Sequence, residues 1–250
     1  MRTWLTVISF LLCISCATRD QADHTGQQLA QLYQDFKASH YADEDFDKKQ
    51  GLLLTFKNTL LDELSQRDSH VATYDSLANS IEIITTKNKQ LRIFSWDELN
   101  GGSWHVYGAA YQYSGEDSSP IVGMLNTTDE GKVYADATYY QVQEMSTGKF
   151  LLMGYGTHGA GKDFYVYRLL SVEDGQLVDC DSCFDGDDMF VFEKPRSFDI
   201  APTYDPTYKT IAYPELIPKF LDGEETGFSR PTGETLRLQY KDGSFIKTGP

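Results

Sequence analysis

Near Ile81 the hydrophobic repeat of this chain changes from 3.6 residues to 2, and one kind of secondary structure cannot satisfy both periods. Before that point Leu29, Leu32, Tyr33 and Phe36 recur at three- and four-residue steps, which predicts an amphipathic helix with one apolar stripe. A second helix is expected after Asp43, with Glu44, Asp45 and Asp47 favoured by its positive N-terminal dipole. Its buried face reads Phe46, Leu53, Phe56, Leu60 and Leu64, and Gly51 weakens it by about 1 kcal/mol relative to alanine.

After Ile81 short β-branched and aromatic runs follow, from Ile81–Thr85 through Leu236–Tyr240 to Ser244–Lys247. Turn chemistry separates them at Asn100-Gly101-Gly102, Glu130-Gly131, Thr147-Gly148, Asp174-Gly175 and Asp242-Gly243. The last suits a two-residue hairpin in which both turn residues take positive φ. Leu236, Leu238 and Tyr240 alternate with Arg237 and Gln239, so that strand has one wet face, whereas Phe164–Leu170 is apolar on both faces and belongs inside a sheet. Pro202, Pro206, Pro214 and Pro218 predict an irregular crossing segment. The fold class is α+β, mostly antiparallel β, with two N-terminal amphipathic helices. A sandwich, a barrel and an irregular propeller-like meander all fit.

The first residues carry a different signal. Arg2 precedes an apolar run from Leu5 to Ile14, too short to span a bilayer, and Ser15 then Cys16 end it. This arrangement resembles a bacterial lipoprotein signal, although Cys13 stands where such signals usually carry leucine. The resemblance implies that residues 1–15 are a signal peptide, that Cys16 is lipidated, and that the mature chain is anchored in the cell envelope. Residues 16–28 then read as lipidated cysteine and tether, and 29–250 as a single domain. Cleavage near Ala17 as an ordinary secretory signal is the alternative, and either way the chain is exported.

The remainder, about 235 residues, is long enough to bury a core without metals or multiple disulfides. Formal charge is −15, one unit more negative once Arg2 leaves with the signal. Such a surface repels nucleic acid and anionic lipid heads, so neither is an expected partner beyond the lipid anchor itself.

Gly156-Thr-His-Gly-Ala-Gly161-Lys162 matches a phosphate-loop pattern. Asp163 stands where that loop needs a hydroxyl, and a strand rather than a helix follows, so the segment reads as a glycine-rich hairpin and no nucleotide is expected. Cys180 and Cys183 have redox spacing, but Asp179, Asp181, Asp185, Asp187 and Asp188 surround them and would raise a thiol pKa, so a local disulfide is expected. The same carboxylates, Asp179, Asp181, Asp185 and Asp187, could hold Ca²⁺, the one cofactor entertained. Their spacing is wrong for a helix–loop–helix calcium loop, and a solvated acidic turn is the simpler reading.

Residues 96–107 carry the ligand-contact candidates Trp96, Asp97, Trp104, His105 and Tyr107. Flat aromatic faces beside hydrogen-bonding groups suit a glycan or peptide, while tryptophans flanking a hairpin also serve as core plugs. No nucleophile elbow or metal-binding helix motif occurs, and no catalytic residue is assigned. The expected role is therefore a non-catalytic binding module for a glycan, peptide or envelope partner. One competing class is an envelope hydrolase, with or without a metal, using His105 or His158 with loop carboxylates. That class requires those groups within hydrogen-bond reach in one cleft. The other is a structural or assembly lipoprotein, marked by one broad apolar patch.

Overall fold

A computed structural model describes residues 24–42, 45–100, 102–115, 119–125, 134 and 136–248. Residues 1–23, where the signal and the lipidated Cys16 are expected, lie outside the described residues, as do Asp43, Glu44, Gly101 and the expected turn at Glu130-Gly131. The protein is mostly antiparallel β with a few helices. Among the described residues no helix is long and apolar enough to cross a membrane.

Helix α1 covers residues 24–41, so positions 24–28, expected in the tether, are helical. Helix α2 is Phe46–Leu64, and Asp45 caps it by accepting a hydrogen bond from Asp47 N at 2.9 Å. A 3₁₀ turn (Ser69–Val71) and the short α3 (Asp75–Ala78) lead into the strands. Leu29, Tyr33 and Phe36 of α1 and Leu53, Phe56, Leu60 and Leu64 of α2 share one apolar core. Phe46 does not join them: it is the first residue of α2 and is 67% exposed.

The first sheet runs in the order β1 (Glu82–Thr85), β2 (Leu91–Asp97), β3 (Tyr107–Tyr113), β4 (Ile121–Met124). The second holds β5 (Thr138–Ser146), β6 (Lys149–His158), β7 (Lys162–Glu173) and β8 (Gln176–Asp179), with β9 (Met189–Pro195) also paired to β7. The third is β10 (Thr203–Asp205), β11 (Thr210–Leu221), β12 (Glu224–Lys241), β13 (Ser244–Thr248).

Side-chain alternation sets the layers, because successive residues of a strand face opposite ways. Phe94 and Trp96 of β2 face the helices, while Leu91 and Ile93 face the second sheet. On β6, Phe150 and Leu152 meet the first sheet and Leu151 and Met153 meet the third. On β7, Phe164, Val166 and Leu170 face one way and Tyr167 and Leu169 the other. The second sheet is thus buried on both faces, and the layers follow one another in chain order.

The proline-rich segment is not an irregular crossing. Pro214 and Pro218 lie within β11, opposite Thr235 and Ser229, and the register shifts just after each of them. Bulges let a strand absorb residues that cannot donate to the ladder. The β11–β12 hairpin consequently runs on into an arm, whose turn Asp222-Gly223 has φ 53° and 88°. Asp242-Gly243 closes β12–β13 in the same way, at φ 50° and 94°.

Glycines separate two kinds of position here. A Cβ at Gly51, inside α2, meets nothing within 4 Å, whereas one at Gly108 falls 2.3 Å from the Trp96 indole that lies across it. We predict that Gly51→Ala stabilises the fold by about 0.5–1 kcal/mol. Gly108→Ala should destabilise it by about 1–3 kcal/mol through overpacking. Urea midpoints at an unchanged m-value check both.

Candidate functional site

The β2–β3 connection is held by one carboxylate. Asp97 ends β2 opposite Tyr107, the first residue of β3. Its Oδ1 accepts from Leu99 N at 2.7 Å, holding Leu99 at φ 55°, and its Oδ2 accepts from His105 Nδ1 at 2.6 Å. An ionised carboxylate only accepts, so the His105 proton sits on Nδ1 and leaves Nε2 for another partner. The Asp97 carbonyl accepts from Tyr33 OH at 2.9 Å. Glu98 pairs with Lys57 of α2 at 2.5 Å, and His105 N donates to Thr157 Oγ1 of β6 at 3.0 Å. Tyr107 stacks on His105 with ring centroids 6.1 Å apart.

The end of the second sheet lies beside this loop, joined to it through His105 N on Thr157 Oγ1 and Trp104 against His158. Gly156–Lys162 is the β6–β7 hairpin, with His158 opposite Lys162. Glu193 of β9 accepts from Lys162 Nζ at 2.8 Å through Oε1. Its Oε2 accepts from His158 Nδ1 and, at 3.1 Å, from Tyr134 OH. Burial alone would raise the Glu193 pKa, but these bonds from Lys162 and His158 outweigh it and hold the carboxyl below its usual range. Tyr134 is pushed up to about 12 by burial and the Glu193 charge, so it remains a phenol and donates. Trp104 stands edge-on to His158 at 4.3 Å, and Tyr134 at 5.6 Å. Nearby, Asp163 is buried and takes Arg196 Nε at 2.7 Å.

Of the five ligand-contact candidates, Asp97, Trp104, His105 and Tyr107 lie along this half-buried margin. Trp96 does not. It is 1% exposed, packs edge-on against Phe56 at 5.3 Å and belongs to the core under the helices. Its Nε1 has no hydrogen-bond partner. Strand parity explains the difference: Trp96 lies two residues from Phe94 and shares its face, while Trp104 lies beyond the strand end. Tyr134, Lys162 and Glu193 were not foreseen. Glu193 lies 35 residues from His158 and 31 from Lys162, and only the β7–β9 pairing brings them together. The one local hint is a Glu-Lys pair ending the apolar run from Met189 to Phe192.

Two carboxylates of the acidic segment pair with cationic side chains. Asp179 receives both Nε and Nη2 of Arg168 at 2.8 Å, and that guanidinium, 3% exposed, also bonds Tyr139 OH at 2.6 Å. Asp185 pairs with Lys247 at 3.2 Å, and Lys247 lowers its pKa through those hydrogen bonds. Cys180 and Cys183 form a disulfide, with Cα atoms 5.7 Å apart. Phe245 N donates to Cys183 O at 2.7 Å, fastening the segment to β13. Asp181 and Asp187 do not converge with the others, and among the described residues no group of three or more His, Cys, Asp or Glu is placed to hold a metal.

Two outcomes follow from these charges. Asp179→Ala strands the buried Arg168 and should cost about 3 kcal/mol, the lower end for a broken buried pair because Asp179 is partly exposed. Denaturant titration at fixed pH measures it. Asp136 is pushed up to about 6 by burial and then by the Glu98 charge. The folded chain holds this proton more tightly than the unfolded chain, so ionisation between about pH 4 and 6 removes stability as pH rises. The melting temperature of Asp136→Asn should exceed that of the parent above pH 6, and the gap should close below pH 4.

No protein-family model matches the chain, and no curated protein matches it either.

Proposed function

We propose that this is an exported, lipid-anchored cell-envelope protein whose folded part binds a glycan or peptide without transforming it. The anchor rests on the resemblance of the leader ending at Cys16 to a lipoprotein signal. On the fold, we read the stacked sheets as a sandwich closed on one side by the two amphipathic helices.

One observation carries the binding reading: Trp104, Tyr107 and Tyr134 gather with two carboxylate-oriented imidazoles along one half-buried margin. Asp97 takes Leu99 N and His105, while Glu193 takes Lys162, His158 and Tyr134. Along the margin lie the half-buried rings of Trp104, Tyr107, Tyr134 and the two imidazoles, and among the described residues neither histidine's Nε2 has a hydrogen-bond partner. Such a set suits the apolar face and hydroxyl rim of a sugar, or a peptide side chain with its backbone.

The hydrolase reading has its own support. In both histidines a carboxylate orients the imidazole through Nδ1, the arrangement an acid–base histidine uses. A titration decides. The chain, in detergent, is titrated by calorimetry with soluble cell-wall saccharides and muropeptides, and the mixture is then analysed by mass spectrometry. We expect unmodified ligand, and a loss of about tenfold in affinity for Trp104→Ala, equivalent to about 1.4 kcal/mol. Cleaved product that disappears in His158→Gln would replace binding with hydrolysis.

A further inference from the structure

A cleft bordered by Asp97 lies between α1, the α3–β1 connection and β2. Its volume is about 460 Å³, within the usual range for small-ligand sites. Trp96 and Ile81 contribute to its floor, and Tyr33, Lys37, Tyr41, Asn79 and Glu82 line it. Gln34 Nε2 bonds Ser80 Oγ at 3.1 Å, linking α1 to the α3–β1 connection beside it.

The charges of this cleft differ from those of the Trp104 margin. There each carboxylate has cationic or imidazole partners. Here Lys37 and Glu82 are of opposite sign, line the same cleft and, among the described residues, form no ion pair with each other or with any other group. The Lys37 ammonium instead stands 5.9 Å from the Tyr33 ring centroid. The Tyr41 ring is 72% exposed at the rim. A neutral sugar has no use for two separate opposite charges, and a dianion would be repelled by Glu82. A molecule with an ammonium at one end, a carboxylate at the other and an apolar body between them satisfies all three features at once.

We infer that this cleft binds a small zwitterion of the amino-acid or dipeptide class. Glu82 takes the ammonium, Lys37 takes the carboxylate, and the exposed Tyr41 ring flanks the side chain. The site is independent of the Trp104 margin, although the two share Asp97, whose carbonyl is fixed by Tyr33 OH and whose carboxylate is fixed to His105.

The test uses the whole chain with L-alanyl-L-tyrosine, its N-acetyl derivative and its C-terminal amide, followed by calorimetry and by shifts in ligand proton NMR. The free dipeptide should bind at least tenfold more tightly than either blocked form. Lys37→Met should abolish the preference for the free carboxylate while keeping that for the free amine, and Glu82→Gln should do the reverse. Both positions are at the surface, and unchanged melting temperatures verify that the variants fold. A loss of dipeptide affinity in Trp104→Ala would place the dipeptide at the margin and overturn the inference, whereas a loss confined to Lys37→Met and Glu82→Gln separates the two sites. No binding of the free dipeptide at millimolar concentration overturns the inference, as does binding indifferent to both substitutions.

Discussion

Everything in this molecule is arranged around a sheet with no wet face. With β6 and β7 covered on both sides, nearly every position along them must be apolar, and the second sheet can meet water only at its edges and ends. Arg168 breaks the apolar rule in the middle of β7. It is tolerated because Asp179 and Tyr139 satisfy its donors, with the Leu125 carbonyl adding a further bond at 3.2 Å. Polar chemistry is pushed to the end of the sheet, and Thr157, His158, Lys162 and Glu193 cluster there. The site is where it is because the rest of that layer is dry.

Asp97 does for the neighbouring loop what hydrophobic contact does for the layers. Its carboxylate and carbonyl together tie the loop to α1, to Leu99 and to His105, and Lys57 holds Glu98 from a second helix. A loop fixed by directional bonds keeps its aromatic side chains in place without burying them, and such preorganisation reduces the entropic cost of binding. The same residue joins the two candidate sites mechanically.

Periodicity made much of this legible in the sequence. The apolar stripe through Leu53, Phe56, Leu60 and Leu64 is buried, Leu238 faces the core with its neighbours outward, and Phe164–Leu170 lies inside the second sheet. Local rules misled where tertiary geometry decided. Proline punctuation suggested a crossing segment, yet bulges at Pro214 and Pro218 allow β11 to continue. Trp96 and Trp104 looked equivalent as flanks of one loop, and only strand parity distinguishes the buried ring from the one at the margin. The acidic segment reads as a solvated turn that could also hold Ca²⁺, and sequence spacing cannot reveal that Arg168, from the strand before, claims its first carboxylate. Glu193 was invisible for the same reason: its partners are neighbours across strands, not along the chain.

The order of the layers has a consequence for how the molecule is made. Helices, first sheet, second sheet and third sheet pile up in the order in which they are synthesised, each resting on the one before. A chain delivered N-terminus first therefore never has to hold a gap open for a later segment to thread into. Every new layer meets a finished surface, and the last one laid down, with its long β11–β12 arm, is the part most readily altered without disturbing those beneath.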